Sequence, residues 1–110
     1  MVKRYCLALD LKDDMRLIRE YVEHHQNVWP DILESIKESG IVDLQIYLVS
    51  NRLFMILEAD ETFSFERKKQ LDALNPKVQE WENLMWKYQE SLPSAQPGEK
   101  WQLMKKIFQL

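Results

Sequence analysis

Residues Tyr5, Leu7, Leu9 and Leu11 alternate with Cys6, Ala8 and Asp10, the period of two that a strand with one buried face requires. Asp13 and Asp14 then offer N-caps for a helix in which Ile18, Tyr21, Val22 and His25 recur at intervals of three and four. Pro30 restarts the helix, because proline suits a first turn and disfavours helical geometry at the residue before it. Ile32, Leu33 and Ile36 form the buried stripe of this second stretch, and Gly40 stands where a C-terminal cap belongs. Two strands follow, 41–49 and 52–59, joined as a hairpin through Ser50-Asn51. In the first, Leu44, Ile46 and Leu48 face one way and Asp43, Gln45 and Tyr47 the other. In the second, Leu53, Met55 and Leu57 oppose Phe54, Ile56 and Glu58, so this strand is apolar on both faces and belongs in the middle of a sheet. A short helix from about Ser64 to Leu74 precedes Asn75-Pro76, which opens a longer one to about Ser91 with Val78, Trp81, Leu84, Met85 and Tyr88 as its stripe. Pro93 to Gly98 can only be loop, and Trp101 to Leu110 alternates again as a final strand.

The order strand, helix, strand, strand, helix, strand is the split βαβ arrangement of an α+β, ferredoxin-like sandwich. Helices on one face of such a sheet leave its other face apolar and bare. A bare four-stranded apolar face is too large to leave in water, so the chain is expected to form a homodimer through it, as a dimeric α/β barrel.

Length and composition narrow the picture without changing it. At 110 residues, 45% hydrophobic and 30% charged, residues 1–110 fit one globular domain with one core. No apolar run approaches the roughly 20 residues that span a bilayer, and Met1 to Tyr5 runs straight into the strand pattern without the features of a secretory signal. The one cysteine, Cys6, permits no internal disulfide and suits a reducing cytoplasm; in mid-strand it reads as packing. A net charge of -3 with dispersed signs argues against nucleic acid, and Arg67-Lys68-Lys69 reads as a solvated helix face.

The chemistry concentrates in Tyr21-Val22-Glu23-His24-His25-Gln26-Asn27-Val28-Trp29-Pro30. Tyr21 and His25 are four apart, so phenol and imidazole project from one helix face and can close on one small ligand. That is an acid–base site in outline. Adjacent His24 and His25 diverge by about 100 degrees on a helix, no HExxH pattern occurs, and a single cysteine builds no sulfur site, which leaves no metal cofactor to expect. Two glycines cannot form a phosphate loop, and no serine or cysteine nucleophile has its setting. Trp81 lies on the apolar stripe. Trp86 lies off it, in line with Glu82 one turn earlier, a pairing that reads as a pocket wall; packing at a dimer interface is the plain alternative for both tryptophans. Aromatic planes beside carboxylate and hydroxyl groups suit sugars, whose C–H faces stack while their hydroxyls need directed bonds.

With Tyr-x-x-x-His-x-x-x-Trp-Pro at 21–30, Ile46-Tyr47-Leu48, Asn51 to Phe54, Asn75-Pro76 with Val78-Gln79 and Trp81, and the closing Ile107-Phe108-Gln109-Leu110, the chain resembles the L-rhamnose mutarotase family over nearly its full length. The resemblance implies a small ferredoxin-like protein that dimerises by its sheets and interconverts the α and β anomers of a 6-deoxy-L-hexose without a cofactor. It implies His25 as proton donor, Tyr21 as a sugar-binding residue and Trp81 as a stacking wall. Two positions depart from the family pattern: Leu44 replaces a tyrosine on the second strand, and Glu82 replaces a second tryptophan. Both changes alter groups that the resemblance expects to touch substrate, so L-fucose stands beside L-rhamnose as the sugar, with Trp86 expected to supply aromatic surface. Glu23, Asp43, Glu58 and Glu82 are all open as acceptor for the anomeric proton. A ligand-binding regulatory dimer and a cofactor-independent monooxygenase or haem-degrading protein of similar fold are the rival functions.

Overall fold

The computed structural model describes residues 2–110, so residue 1 of the expected domain, with the first residue of the N-terminal reading, lies outside the described residues. The chain runs β1 (Lys3–Leu11), α1 (Met15–His25), α2 (Pro30–Glu38), β2 (Ile41–Val49), β3 (Arg52–Ala59), α3 (Phe65–Ala73), α4 (Pro76–Trp86), β4 (Gln89–Glu90) and β5 (Gln102–Leu103). β3 lies between β2 and β1, both antiparallel to it, in the sheet order β2-β3-β1-β4. The central strand is the one that is apolar on both faces, and the order is that of a ferredoxin-like sheet.

Local chemistry sets the helix starts. Asp14 accepts from the backbone N–H groups of Arg16 and Leu17 at 2.9 and 3.1 Å, and Asn75 from those of Lys77 and Val78 at 3.0 and 3.3 Å. Pro30 and Pro76 occupy first turns, where their missing N–H costs nothing. Gly40, just past the end of α2, has φ of 99°, and a Cβ there would stand 2.6 Å from Thr62 Oγ1, so both handedness and space require glycine.

Leu7, Leu9, Leu53 and Leu57 turn to the helical layer and are buried. One core cluster gathers Leu11, Leu53, Tyr21, Ile32, Val78, Trp81, Met85 and Tyr88; a second gathers Leu7, Ile41, Leu57 and Ala59, and Ile36 and Trp101 pack against both. The opposite sheet face carries Tyr47, Phe54, Ala8, Ile56 and Cys6 on neighbouring strands, bounded by Asp43, Glu58 and Arg4 at one end and by Arg52 and Asp10 at the other. Arg52 holds both oxygens of Asp10, at 2.7 and 3.1 Å.

Two expectations are corrected. The long helix ends at Trp86 rather than near Ser91, because Tyr88 to Glu90 leave it to pair with β1 at Leu11 and Asp10. The closing strand, expected over 101–110, is formed only at Gln102–Leu103, opposite Ala8 and Leu7. The same edge of β1 is shared with β4, and beyond Met104, whose N–H donates to the Cys6 carbonyl at 2.7 Å, residues 105–110 belong to no strand. Ile107 and Phe108 are left 91% and 76% exposed.

Candidate active site

α1 and α4 pack over Leu11 and Leu53, and their side chains bring Tyr21, His24, His25 and Trp81 together, with Trp29 and Tyr88 joining from just outside the two helices. His25 Nδ1 lies 2.9 Å from the carbonyl oxygen of Tyr21. A carbonyl only accepts, so Nδ1 carries the proton and Nε2 keeps its lone pair. The imidazole packs on the Tyr21 ring at 4.3 Å between centroids and meets the Trp81 ring edge-on at 5.6 Å. Trp29 also meets Trp81 edge-on, at 5.1 Å. Burial holds the His25 pKa below its ordinary 6.5; the Tyr21 carbonyl opposes this and the neighbouring His24 adds to it. Burial pushes the Tyr21 phenol up to about 12, against a hydrogen bond from Gln89 and with the negative field of Glu82. At neutral pH His25 is therefore a neutral imidazole with a free lone pair, and Tyr21 an intact phenol.

A second chain of bonds flanks the first. The Tyr88 hydroxyl donates to Glu20 Oε1 at 3.1 Å, and His24 Nε2 lies 3.2 Å from the same hydroxyl. The carboxylate accepts the phenol proton, so His24 donates through Nε2. Arg16 holds the other Glu20 oxygen at 3.1 Å. Adjacent histidines thus both reach Trp81, His24 at 6.5 Å, although their helix positions diverge. Among the described residues no group of three His, Cys, Asp or Glu is placed to hold a metal ion, and no helix is long and apolar enough to cross a membrane.

Tyr21, His25 and Trp81, picked out by spacing, come together. The remaining picks stand apart. Glu82, next in chain to Trp81, makes an ion pair with Lys100, whose ammonium also lies 4.6 Å from the centre of the Trp86 ring. Trp86 lines a groove of about 520 Å³ between α3 and α4 with Phe65, Lys68 and Glu82, and neither Tyr21 nor His25 borders it. Leu44 packs in the second core cluster, beside Leu57 rather than Trp81. Of the open acceptors, Asp43 and Glu58 lie across from each other on the bare sheet face, where Arg4 pairs with Glu58 at 3.6 Å, and Glu23 is exposed. Gln89, which no spacing in the sequence singles out, joins the cluster: its Nε2 donates to the Tyr21 hydroxyl at 3.4 Å, and its Oε1 is buried with no partner.

A ferredoxin-like domain with a neutral imidazole, a phenol and indole rings gathered where its helices meet its sheet is equipped for proton transfer on a small ligand. Comparison with known proteins specifies which kind. The family model described as L-rhamnose mutarotase matches residues 4–110, and the chain belongs to that family of carbohydrate isomerases. A protein of Xanthomonas campestris called L-fucose mutarotase is 40% identical over 99% of this chain and 89% of its own length. The L-rhamnose mutarotase of Enterococcus faecalis is 32% identical over 83% of this chain and 84% of its own. A crystal structure of the L-rhamnose mutarotase from Formosa agariphila superposes with a TM-score of 0.72 at 18% identity, over 98% of both chains, which supports the fold.

Proposed function

We propose that the chain interconverts the α and β anomers of a 6-deoxy-L-hexose at the His25 cluster, with L-fucose preferred over L-rhamnose. The observation that carries this is the His25 imidazole, fixed by the Tyr21 carbonyl with Nε2 free beside Tyr21 and Trp81. The relative called an L-fucose mutarotase, at 40% identity, favours that sugar.

The reaction moves one proton and reverses one bond. Nε2 takes the proton of the anomeric hydroxyl; the imidazolium gives it to the ring oxygen as the C1–O5 bond breaks and C1 becomes an aldehyde. The two oxygens share one carbon, so one nitrogen reaches both. Rotation about C1–C2 presents the other face of the aldehyde, and the same transfers in reverse reclose the ring. His25 begins as acceptor and acts as the donor in the step that breaks the ring. Trp81 offers an apolar plane to the sugar and Tyr21 a hydroxyl. L-Rhamnose and L-fucose, incubated separately with the protein, are expected to show enzyme-dependent saturation transfer between their anomeric protons by NMR. No exchange above the uncatalysed rate with either sugar would sink this reading.

Glu82 is proposed to set the choice of sugar, its carboxylate tied to Lys100 and its field reaching Tyr21. Glu82→Trp is expected to shift the ratio of fucose to rhamnose exchange several-fold toward rhamnose; an unchanged ratio removes Glu82 from specificity. Leu44 and Trp86, set apart from the rings, are proposed to act only on pocket shape.

The working unit is proposed to be a homodimer. The bare sheet face has an apolar centre, Tyr47, Phe54, Ile56 and Ala8, inside a charged rim, which is the anatomy of an interface. The exposed Ile107 and Phe108 add apolar surface that one chain leaves uncovered. Ile56→Glu puts a carboxylate at that centre and is expected to convert the dimer to monomer in sedimentation velocity. A dimer that survives it locates the interface elsewhere.

A further inference from the structure

We propose that Gln89 is a second sugar-binding residue, whose free amide end takes one substrate hydroxyl beside the Tyr21 phenol. The inference rests on the placement of the sugar at the His25 cluster. Gln89 is 5% exposed and sits on the two-residue β4, where backbone pairing with Leu11 fixes it at the helical side of the sheet. One end of its amide meets the Tyr21 hydroxyl at 3.4 Å; the other has neither a protein partner nor contact with solvent. Turning the amide over exchanges its ends and leaves the same result, one end on the phenol and one free. Buried side-chain amides are satisfied as a rule, and an exception calls for a reason.

A sugar hydroxyl supplies that reason, because it both donates and accepts and so satisfies either end. Access follows from the phenol. Tyr21 is likewise buried, at 3% exposed, and the amide lies one hydrogen bond beyond its hydroxyl, so whatever reaches the one reaches the other. The two groups would then read neighbouring hydroxyls from a wall that the backbone holds rigid. L-Fucose and L-rhamnose differ in hydroxyl orientation at C2 and C4, which is the difference a fixed amide can sense.

The test compares wild type with Gln89→Met, which keeps length and removes strong hydrogen bonding, and with Gln89→Asn, which keeps the amide and draws it back. Each is assayed by anomer exchange with the preferred sugar and with its analogues lacking the hydroxyl at C2, C3 or C4. Both variants are expected to lose about 10–100-fold in kcat/KM for the parent sugar, the cost of one buried hydrogen bond left unmade. For one analogue the loss disappears, because the hydroxyl that Gln89 binds is already gone. A merely structural role lowers exchange of the parent and all analogues by the same factor, and that outcome overturns the proposal, as does exchange at the wild-type rate. If one variant does not fold, the other decides. The analogue scan in wild type adds an independent reading, since no single hydroxyl whose removal lowers kcat/KM would also overturn it. His25→Ala separates the two claims: full activity there defeats the site, whereas a silent Gln89→Met alongside an inactive His25→Ala defeats only the role of Gln89.

Discussion

His25→Ala is expected to lower anomer exchange by roughly 10²–10⁴-fold, the range that a positioned proton-transfer group supplies, while the circular dichroism of the fold is retained. The ring is half-buried at the end of α1 and makes its one hydrogen bond to the carbonyl of Tyr21, four residues back in the same helix. Its loss therefore opens no hole at the sheet. The pH profile carries a second signature. Burial holds the His25 pKa below 6.5, so the neutral, lone-pair-bearing form predominates at pH 7, and kcat/KM is expected to be level there and to fall on acidification below that value. The stability sign is the same. The unfolded chain takes up the proton more readily than the folded one, so stability present above pH 6.5 is lost as pH falls through the folded pKa. In the alanine variant that contribution to the pH dependence of Tm is absent. Full residual exchange would remove His25 from the chemistry, and a rate that rises on acidification would make its protonated form the active one.

The parts of the fold that could be read in advance are those whose signals are local. Alternation in β1 to β3, the caps at Asp14 and Asn75, and the prolines at 30 and 76 act over a few residues, and the helices and strands formed where these lie. What alternation cannot state is whether a strand has a neighbour. The segment 101–110 has the period of a strand, yet its ladder to β1 is formed only opposite Ala8 and Leu7, with one more bond from the Met104 N–H to the Cys6 carbonyl, while β4 takes the other end of that edge at Asp10 and Leu11. The site divides in the same way. Tyr21 and His25 share a helix face and were legible by spacing. Gln89 lies in the polar-looking run Tyr88-Gln89-Glu90, and its burial comes from Leu11 and from Tyr21, 68 residues away, a contact that no periodicity records. Glu82 and Trp86 are one turn apart as expected, but the charge that gathers them, Lys100, arrives from the loop beyond α4 and turns them to the α3–α4 groove.

Trp81→Ala is expected to have the largest effect on stability. The residue is 9% exposed, belongs to the larger core cluster, and its ring is met edge-on by Trp29, His24 and His25 at 5.1, 6.5 and 5.6 Å. Truncating a buried tryptophan costs about 3–5 kcal/mol through lost transfer energy and the cavity left behind. That is a large share of the roughly 5–15 kcal/mol that holds a domain together, and it lowers Tm by on the order of 15 °C or more in a chain of this size. Loss of activity in that variant would not separate wall from core, since both histidines lose the plane they pack on. Trp81→Phe separates them. Phenylalanine keeps an aromatic ring in the cluster and much of the stability, but it shortens the apolar plane proposed to face the sugar. If the indole stacks on substrate, Trp81→Phe raises KM for anomer exchange up to about tenfold, the worth of a stacking contact, with Tm only modestly lowered. If KM is unchanged, the indole belongs to the core alone, and the sugar rests on the Tyr21 side of the histidine.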